Sequence, residues 1–449
     1  MRNNRPFLLT LALGVFAGAL DLGVLSPALP AIGREFGVPT GDLAWIFTLY
    51  LLVTVASIAI ASSLADRLGR RTVYAACIGL FALGSIVAVT APNYGMLLFA
   101  RVLQALGAGG IFPVATAAIG DVVEPERRGA ALGLVAATWG LAAIIGPTFG
   151  GIVTHFISWR AIFALNFPLA AIVLVLAYRY VPNNAPRRRG PLDGLGLTLL
   201  CIGLLLLMDG LITARALNAV LGAGALAAFA WWERNAEFPI VPPSLFTPQL
   251  AKTYILEIAI GVLEGSLFFI PTVIVGAQGL SYAAAGLIAA LGALMFVIVI
   301  PVSGRALDRL GSRDVLLAGG LLTELGLALF AVGFHSLALT IVSMIVAGCG
   351  FGALLGAPTR YIVTGEVDEA SRATAVGLLS QALIVGQILG GSLAGGVIGL
   401  ATNELHGYRD AYLCFCGVAL VALAIAATLK PRNQERGTPL KKQSALPIQ

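Results

Sequence analysis

Between residues 7 and 430 the chain runs as apolar stretches of about 20 residues, parted by short islands that carry nearly all of its charge. A helix of that length crosses a hydrocarbon layer about 30 Å thick. In lipid every backbone N–H and C=O must be satisfied internally, and runs of this length satisfy them as helices. The fold class that follows is an all-α polytopic membrane protein. Only 11% of the residues are charged and the mean hydropathy is +0.93, where a soluble domain carries about 25% charged residues. The net charge of +6 therefore does not point to nucleic acid, because the basic residues lie in membrane-flanking loops.

Fourteen spans are expected, at about 7–32, 42–65, 72–92, 95–119, 129–154, 159–181, 194–213, 215–232, 254–276, 281–303, 314–334, 336–362, 373–400 and 408–430. An even number places both termini on one side. Of the 28 Lys and Arg residues, 23 would share that side. Four (Arg34, Arg160, Arg215 and Arg409) would lie on the other, and Arg101 falls inside a span. Basic loops stay cytoplasmic, so the expected orientation is N-in, C-in in a cell (inner or plasma) membrane. The first apolar run is too long for a signal-peptide core and is expected to remain as the first span.

The islands repeat. Ser63-Leu64-Ala65-Asp66-Arg67-Leu68-Gly69-Arg70-Arg71 returns as Ser303-Gly304-Arg305-Ala306-Leu307-Asp308-Arg309-Leu310-Gly311-Ser312-Arg313, with Asp308 242 residues after Asp66. Glu126-Arg127-Arg128-Gly129 before the fifth span is matched by Ala370-Ser371-Arg372-Ala373 before the thirteenth, at an offset of 244. So long a period means a duplicated architecture rather than a solenoid. Six spans fill only about 180 residues. The seventh and eighth supply the remainder and have no partner. The expected plan is a six-helix half over 1–181, a linker with two extra helices over 182–253, a second six-helix half over 254–430 and a cytoplasmic tail over 431–449. Asn183–Asp193, with Arg187-Arg188-Arg189, is the expected hinge out of the first half. Glu233–Tyr254, with Pro239, Pro242, Pro243 and Pro248, leads into the second. The polar tail is expected to be disordered. Two parallel halves around a cavity describe a rocking transporter, with its substrate near the midplane.

Charged residues inside spans cost about 2.5–3.5 kcal/mol each on insertion scales, so each is a functional candidate. They are Asp21, Arg101, Asp209, Glu257, Glu264 and Glu324. Asp21 lies in the middle of the first span, where a carboxylate in a low-dielectric cavity can take up and release a proton. The alternative is a structural partner for a polar neighbour. Arg101, without a counterpart in the second half, needs a carboxylate or carbonyl partner. It could make proton release depend on conformation, or it could be a tether. Glu257 and Glu264, seven residues apart, share a helix face about 10 Å apart along the axis. Glu264 is the expected second acid, and Glu257 lies nearer the cytoplasmic mouth, where it could only snorkel. Asp209 and Glu324 are expected to face another helix.

Gly140, Gly146, Pro147, Gly150 and Gly151 give the fifth span a small-residue face, echoed by Gly386, Gly390, Gly391 and Gly395. Such faces allow close helix contact, as packing or as smooth surfaces between moving halves, and Pro147 is expected to kink its helix. Asp66 could sit at the positive end of a helix, with Arg67, Arg70 and Arg71 pairing to Asp121, Glu124 or Glu126. At about 0.3–1 kcal/mol each such contacts suit a latch. Basic residues also mark topology without any such role. Asp308 and Arg309 repeat the arrangement.

Cys77, Cys201, Cys349, Cys414 and Cys416 all fall in apolar spans and read as small hydrophobes. His155, His335 and His406 fall in outer loops and suggest no metal site. Gly348-Cys349-Gly350-Phe351-Gly352 lies within an apolar run and does not follow a strand, so it is no dinucleotide fingerprint. No Walker A, G-x-S-x-G or H-E-x-x-H sequence is present. An enzyme is the least expected reading.

With these residues in view, the sequence resembles the major facilitator superfamily over nearly its whole length, and most of all the fourteen-helix drug:proton antiporters. Ser63 to Arg71 resembles the loop 2–3 motif, with Ser63 at the usual Gly. Arg101, Gln104, Gly107 and Gly109 resemble the helix 4 motif linked to proton coupling, with Ala105 at a usual Gly. Gly140 to Gly151 resembles the antiporter signature of helix 5. Leu20-Asp21 with Ala28-Leu29-Pro30 resembles the helix 1 motif, although Leu22 to Pro27 replace its usual core. The resemblance implies export of lipophilic, often cationic molecules in exchange for protons, without another cofactor. Amphipathic small molecules, protons and the lipid bilayer are the expected partners, and the chain is expected to be monomeric. A lipid or metabolite exporter on the same fold, and a membrane sensor or scaffold, are the competing readings.

Overall fold

Apolar residues in unbroken runs leave the backbone no partner but itself, and the chain folds accordingly into helices. The computed structural model describes residues 5–182, 193–237, 239–240, 245–368 and 371–434. Most of the expected hinge (183–192), Pro242 and Pro243, and the tail from 435 lie outside the described residues. Thirteen helices among the described residues are long and apolar enough to cross a membrane. In chain order these and one shorter helix are α1 (Arg5–Phe36), α2 (Thr40–Leu68), α3 (Arg70–Val89), α4 (Tyr94–Val122), α5 (Pro125–Phe156), α6 (Trp159–Tyr180) and α7 (Gly194–Ile212). Then follow α8 (Ala216–Glu233), α9 (Pro248–Gln278), α10 (Tyr282–Leu310), α11 (Ser312–Gly333), α12 (Leu337–Glu366), α13 (Arg372–Leu400) and α14 (Glu404–Ala427). The shorter one, α8, coincides with the expected eighth span. Asn218, Trp231, Trp232 and Glu233 make it less apolar than the rest.

The duplication extends to backbone detail. Gly69 and Gly311 both take a positive φ, 93° and 89°, between the second and third helices of each half. L-residues rarely adopt that conformation, which accounts for glycine at both places. The first helix of each half is also interrupted alike. A 3-10 turn breaks α1 at Ser26–Ala28 and α9 at Ser266–Phe269. Pro27 and Pro30, and Pro271 in the second half, withhold the amide donors that a continuous helix needs. The two breaks meet. Ser26 Oγ donates to the Phe268 carbonyl at 2.8 Å, and the Phe47 and Phe268 rings stack at 4.3 Å.

The small-residue faces divide into two kinds of contact. A Cβ at Gly146 or Gly150 would run into Gly23 and Val24 of α1, within the same half. One at Gly151 would meet Tyr282 and Gly286 of α10, in the other half. The second half repeats the division: Gly386 and Gly390 press on α9, whereas Gly391 and Gly395 face Thr48 and Gly41 at the start of α2. The first kind holds each half together; the second lets the halves close on one another.

The contacts joining the halves gather at one end of the bundle. Arg34 Nη1 donates to Tyr282 Oη at 3.2 Å and Thr40 Oγ1 to Glu404 Oε1 at 3.1 Å. The Gly151–Tyr282 and Gly395–Gly41 approaches lie there too. The opposite end carries Arg5, the Asp66–Arg71 loop and its repeat, and is called the basic end below. The unpaired α7 lies against α13 and α2, on the seam between the halves. The Leu211 carbonyl touches Gly396, and Leu204, Met208 and Ile212 join the main apolar core. Its companion α8 packs on α7 through Gly203 with Leu226 and Gly222 with Leu207.

Candidate functional site

Inside the first half, four helices bring polar side chains to one enclosed point. Arg101 and Gln104 are three residues apart on α4 and so share a face. Asp21 comes from α1 about a turn and a half before its break, Ser85 from α3, and Asn166 from α6. Asp21, Arg101, Gln104, Ser85 and Asn166 are all buried, at 0–4% exposure. Arg101 Nη1 donates to Asp21 Oδ2 at 2.5 Å and to Gln104 Oε1 at 2.8 Å. Asn166 Nδ2 donates to Asp21 Oδ1 at 3.0 Å, and Gln104 Nε2 reaches the same oxygen at 3.3 Å and Ser85 Oγ at 2.8 Å. The Arg101 guanidinium also lies 4.1 Å from the centre of the Tyr50 ring on α2.

This is a charge pair removed from water and compensated by donors on both carboxylate oxygens. One nitrogen of Arg101, Nη2, is buried with no acceptor among the described residues. Breaking a buried pair costs about 3–5 kcal/mol, because a charge is left behind. Removing the Asp21 charge would do this to Arg101. The sequence pointed to Asp21 and Arg101 but not to Ser85 or Asn166. They carry no charge, yet Asn166 is an amide inside an apolar span, which is the signal that would have found it.

The second half places its acids separately. Glu264 is half-buried on α9 and accepts a hydrogen bond from Gln387 Nε2 of α13 at 2.9 Å. Glu257 is 5% exposed and does not snorkel toward the surface. It interacts with Thr359 and Arg360, just past the turn between Leu354 and Pro358 that interrupts α12, and its Oε2 has no hydrogen-bond partner among the described residues. Asp209 accepts from Asn218 Nδ2 at 2.5 Å, joining α7 to α8. Glu324 on α11 interacts with Cys416 on α14. Both of these acids face a neighbouring helix, as expected.

At the basic end the structure separates residues that the sequence grouped. Arg70 Nη2 lies 2.6 Å from Asp66 and its Nε 3.1 Å from Asp121, all nearly buried. Among the described residues Arg71 reaches the Tyr178 carbonyl, at 3.5 Å. Glu124 pairs with Arg127 rather than with the loop, at 3.8 Å, and the Glu126 side chain lies outside the described residues. In the repeat, Arg432 donates to the Asp308 carbonyl at 2.7 Å and to that of Arg309, and so ties the chain after α14 to the second loop. Arg70→Gln is expected to lower thermal stability clearly, by about 3 kcal/mol or more. Arg71→Gln should stay within about 1 kcal/mol. Equal effects in thermal unfolding of the two variants would contradict the separation.

The sequence profile of the Major Facilitator Superfamily matches residues 11–232 and 255–448. The chain is 30% identical over 412 residues to the MFS-type transporter YfiU of Bacillus subtilis, covering 88% of this chain and 79% of that one. It is 31% identical over 425 residues to the multidrug resistance protein Stp of Mycobacterium tuberculosis, covering 90% and 78%. Among solved structures, the peptide transporter PepTSo superposes with a TM-score of 0.72 at 14% identity, over 95% of this chain and 98% of that one. The nucleoside transporter NupG does so at 0.67 and 18%, over 94% and 100%. At these identities the structures speak for the fold alone.

Proposed function

The chain belongs to the Major Facilitator Superfamily, as a multi-pass membrane transporter and not an enzyme, and from that premise we propose that it is a proton-coupled exporter of lipophilic cations. The observation that carries this reading is the buried Asp21–Arg101 pair with its Gln104 and Asn166 donors. A transporter that bound its substrate by shape alone would gain nothing from a salt bridge sealed inside one half. A proton carrier needs a carboxylate whose charge the surrounding helices register. The similarity to a multidrug resistance protein favours efflux.

In this reading fourteen helices span a cell membrane with both termini and the basic end in the cytoplasm, as the Lys and Arg distribution favours. The halves, joined at the outer end, stand in the inward-facing arrangement. Substrate enters from the cytoplasm, and Asp21 and Glu264 exchange their protons for it as the halves rock. Each charge crossing 100 mV releases about 2.3 kcal/mol and each pH unit about 1.4 kcal/mol. For one proton exchanged for one monovalent cation the potential terms cancel and a pH unit sustains about a tenfold gradient; a second proton adds the potential to the driving force. Phe112 and Trp139, on α4 and α5, are well exposed and make an edge-to-face pair at 6.3 Å. Phe112 is eleven residues from Arg101, on the same face of α4, where an aromatic surface suits a cation.

The test is uptake of ethidium by energised inverted vesicles containing the protein. Uptake that a protonophore abolishes and that Glu264→Gln reduces at least about tenfold is the expected result. Uptake that survives the protonophore would reject proton coupling. No cation taken up at all, with a lipid translocated instead, would favour the lipid-exporter reading.

A further inference from the structure

On a third face of α5, distinct from those that meet α1 and α10, the basic end of the first half opens into a groove of about 730 Å³. Leu9, Leu13 and Phe16 of α1, Leu134 and Leu141 of α5 and Leu176 of α6 line it. The walls are exposed in the folded chain, Leu9 at 56% and Leu141 at 52%. Arg5 and Tyr180 stand among the lining residues at the basic end of α1 and α6, and none of the described residues lining the groove is acidic. Beside Tyr180, the guanidinium of Arg179 lies 5.6 Å from the centre of its ring.

We propose that this groove is a binding site for an anionic phospholipid, an acyl chain lying along the leucines and the phosphate held at the rim by Arg5 and Arg179. At this depth the surrounding solvent is hydrocarbon, so an apolar groove between helices accepts a chain of the leaflet beside it. The headgroup of that chain reaches the interface where the cations stand, and basic pockets between helices at the cytoplasmic side suit anionic headgroups. Tyr180 occupies the level at which amphipathic rings settle. The site is separate from the polar cluster around Asp21 and holds whether or not transport is coupled to protons.

The full-length protein, purified with equal amounts of phosphatidylglycerol and phosphatidylcholine, is examined by native mass spectrometry. The parent is expected to retain phosphatidylglycerol over phosphatidylcholine by about tenfold. Arg5→Gln with Arg179→Gln should remove the preference, whereas Arg5→Lys with Arg179→Lys should keep most of it. Leu13→Trp with Leu141→Trp, which fills the groove, should lower retention of both lipids. Equal retention in the parent, or a preference unchanged by the glutamine pair, would overturn the site. So would retention unaffected by the tryptophan pair. Inorganic phosphate that displaces the lipid fully would overturn it as well, since it would assign the rim to a free anion.

Discussion

Asp21→Asn is expected to abolish substrate-coupled proton movement and to destabilise the protein by about 3–5 kcal/mol. Arg101→Gln added to it should return most of the stability and none of the coupling. The asparagine keeps the shape of Asp21 and leaves Arg101 buried at 0% exposure beside Gln104 and Tyr50, without its carboxylate. Replacing the arginine as well removes the uncompensated charge. The amide introduced in place of the Asp21 carboxylate can then bond to those of Gln104 and Asn166 and to Ser85. Thermal unfolding in detergent reads the first effect and proton flux the second. If the double variant were less stable than either single one, the pair would not be an isolated charge couple. If it still exchanged protons for substrate, the proton site would lie elsewhere.

Gly286→Val is expected to leave each half folded and to stop the halves from closing. The nearest atoms to a Cβ at Gly286 belong to Pro147 and Gly151, and those nearest one at Gly151 to Tyr282 and Gly286, so the tightest clash arises where the halves are joined. Overpacking of this kind costs about 1–3 kcal/mol, which moves a two-state equilibrium by up to about a hundredfold. Transport should fall by about ten- to a hundredfold at normal expression. Spin labels at Thr40 and Glu404, which hydrogen-bond across the seam, should move apart in a background lacking the five native cysteines. Gly150→Val presses instead on Val24 of its own half and should reduce the yield of folded protein. A Gly286→Val variant with parental label distances and transport would contradict the assignment of this contact to the moving seam.

Much of this was legible in the chain because lipid simplifies the physics. Backbone satisfaction forces helices, so apolar length located the thirteen long apolar helices with ends off by up to seven residues; α2, expected over 42–65, runs from Thr40 to Leu68. The repeated Asp-Arg-Leu-Gly announced the duplication, and Gly69 and Gly311 share one backbone conformation. The cost of a buried charge singled out Asp21 and Arg101, which the fold brings together. Other features were hidden for equally physical reasons. Ser85 and Asn166 cost little to bury once hydrogen-bonded, so Ser85 does not stand out in the pattern and Asn166 does so only as an amide within an apolar span. Gly146, Gly150 and Gly151 look alike in sequence. One residue of register rotates a helix face by about 100°, and this alone sends Gly150 to α1 and Gly151 to α10. The 3-10 breaks in α1 and α9 lie within continuous apolar runs, where only their prolines hint at them. Burial of Glu257 depends on Thr359 and Arg360, about a hundred residues away along the chain.

The central claim, that substrate and proton compete through the Asp21 cluster, is tested most directly by proton release on substrate binding. The purified protein in weakly buffered detergent solution is mixed with tetraphenylphosphonium while a pH-sensitive dye is followed, beside Asp21→Asn with Arg101→Gln. Protons released by the parent in proportion to bound cation, and not by the double variant, are the predicted result. Cation binding by the parent without release of protons, or equal release from both proteins, would contradict it.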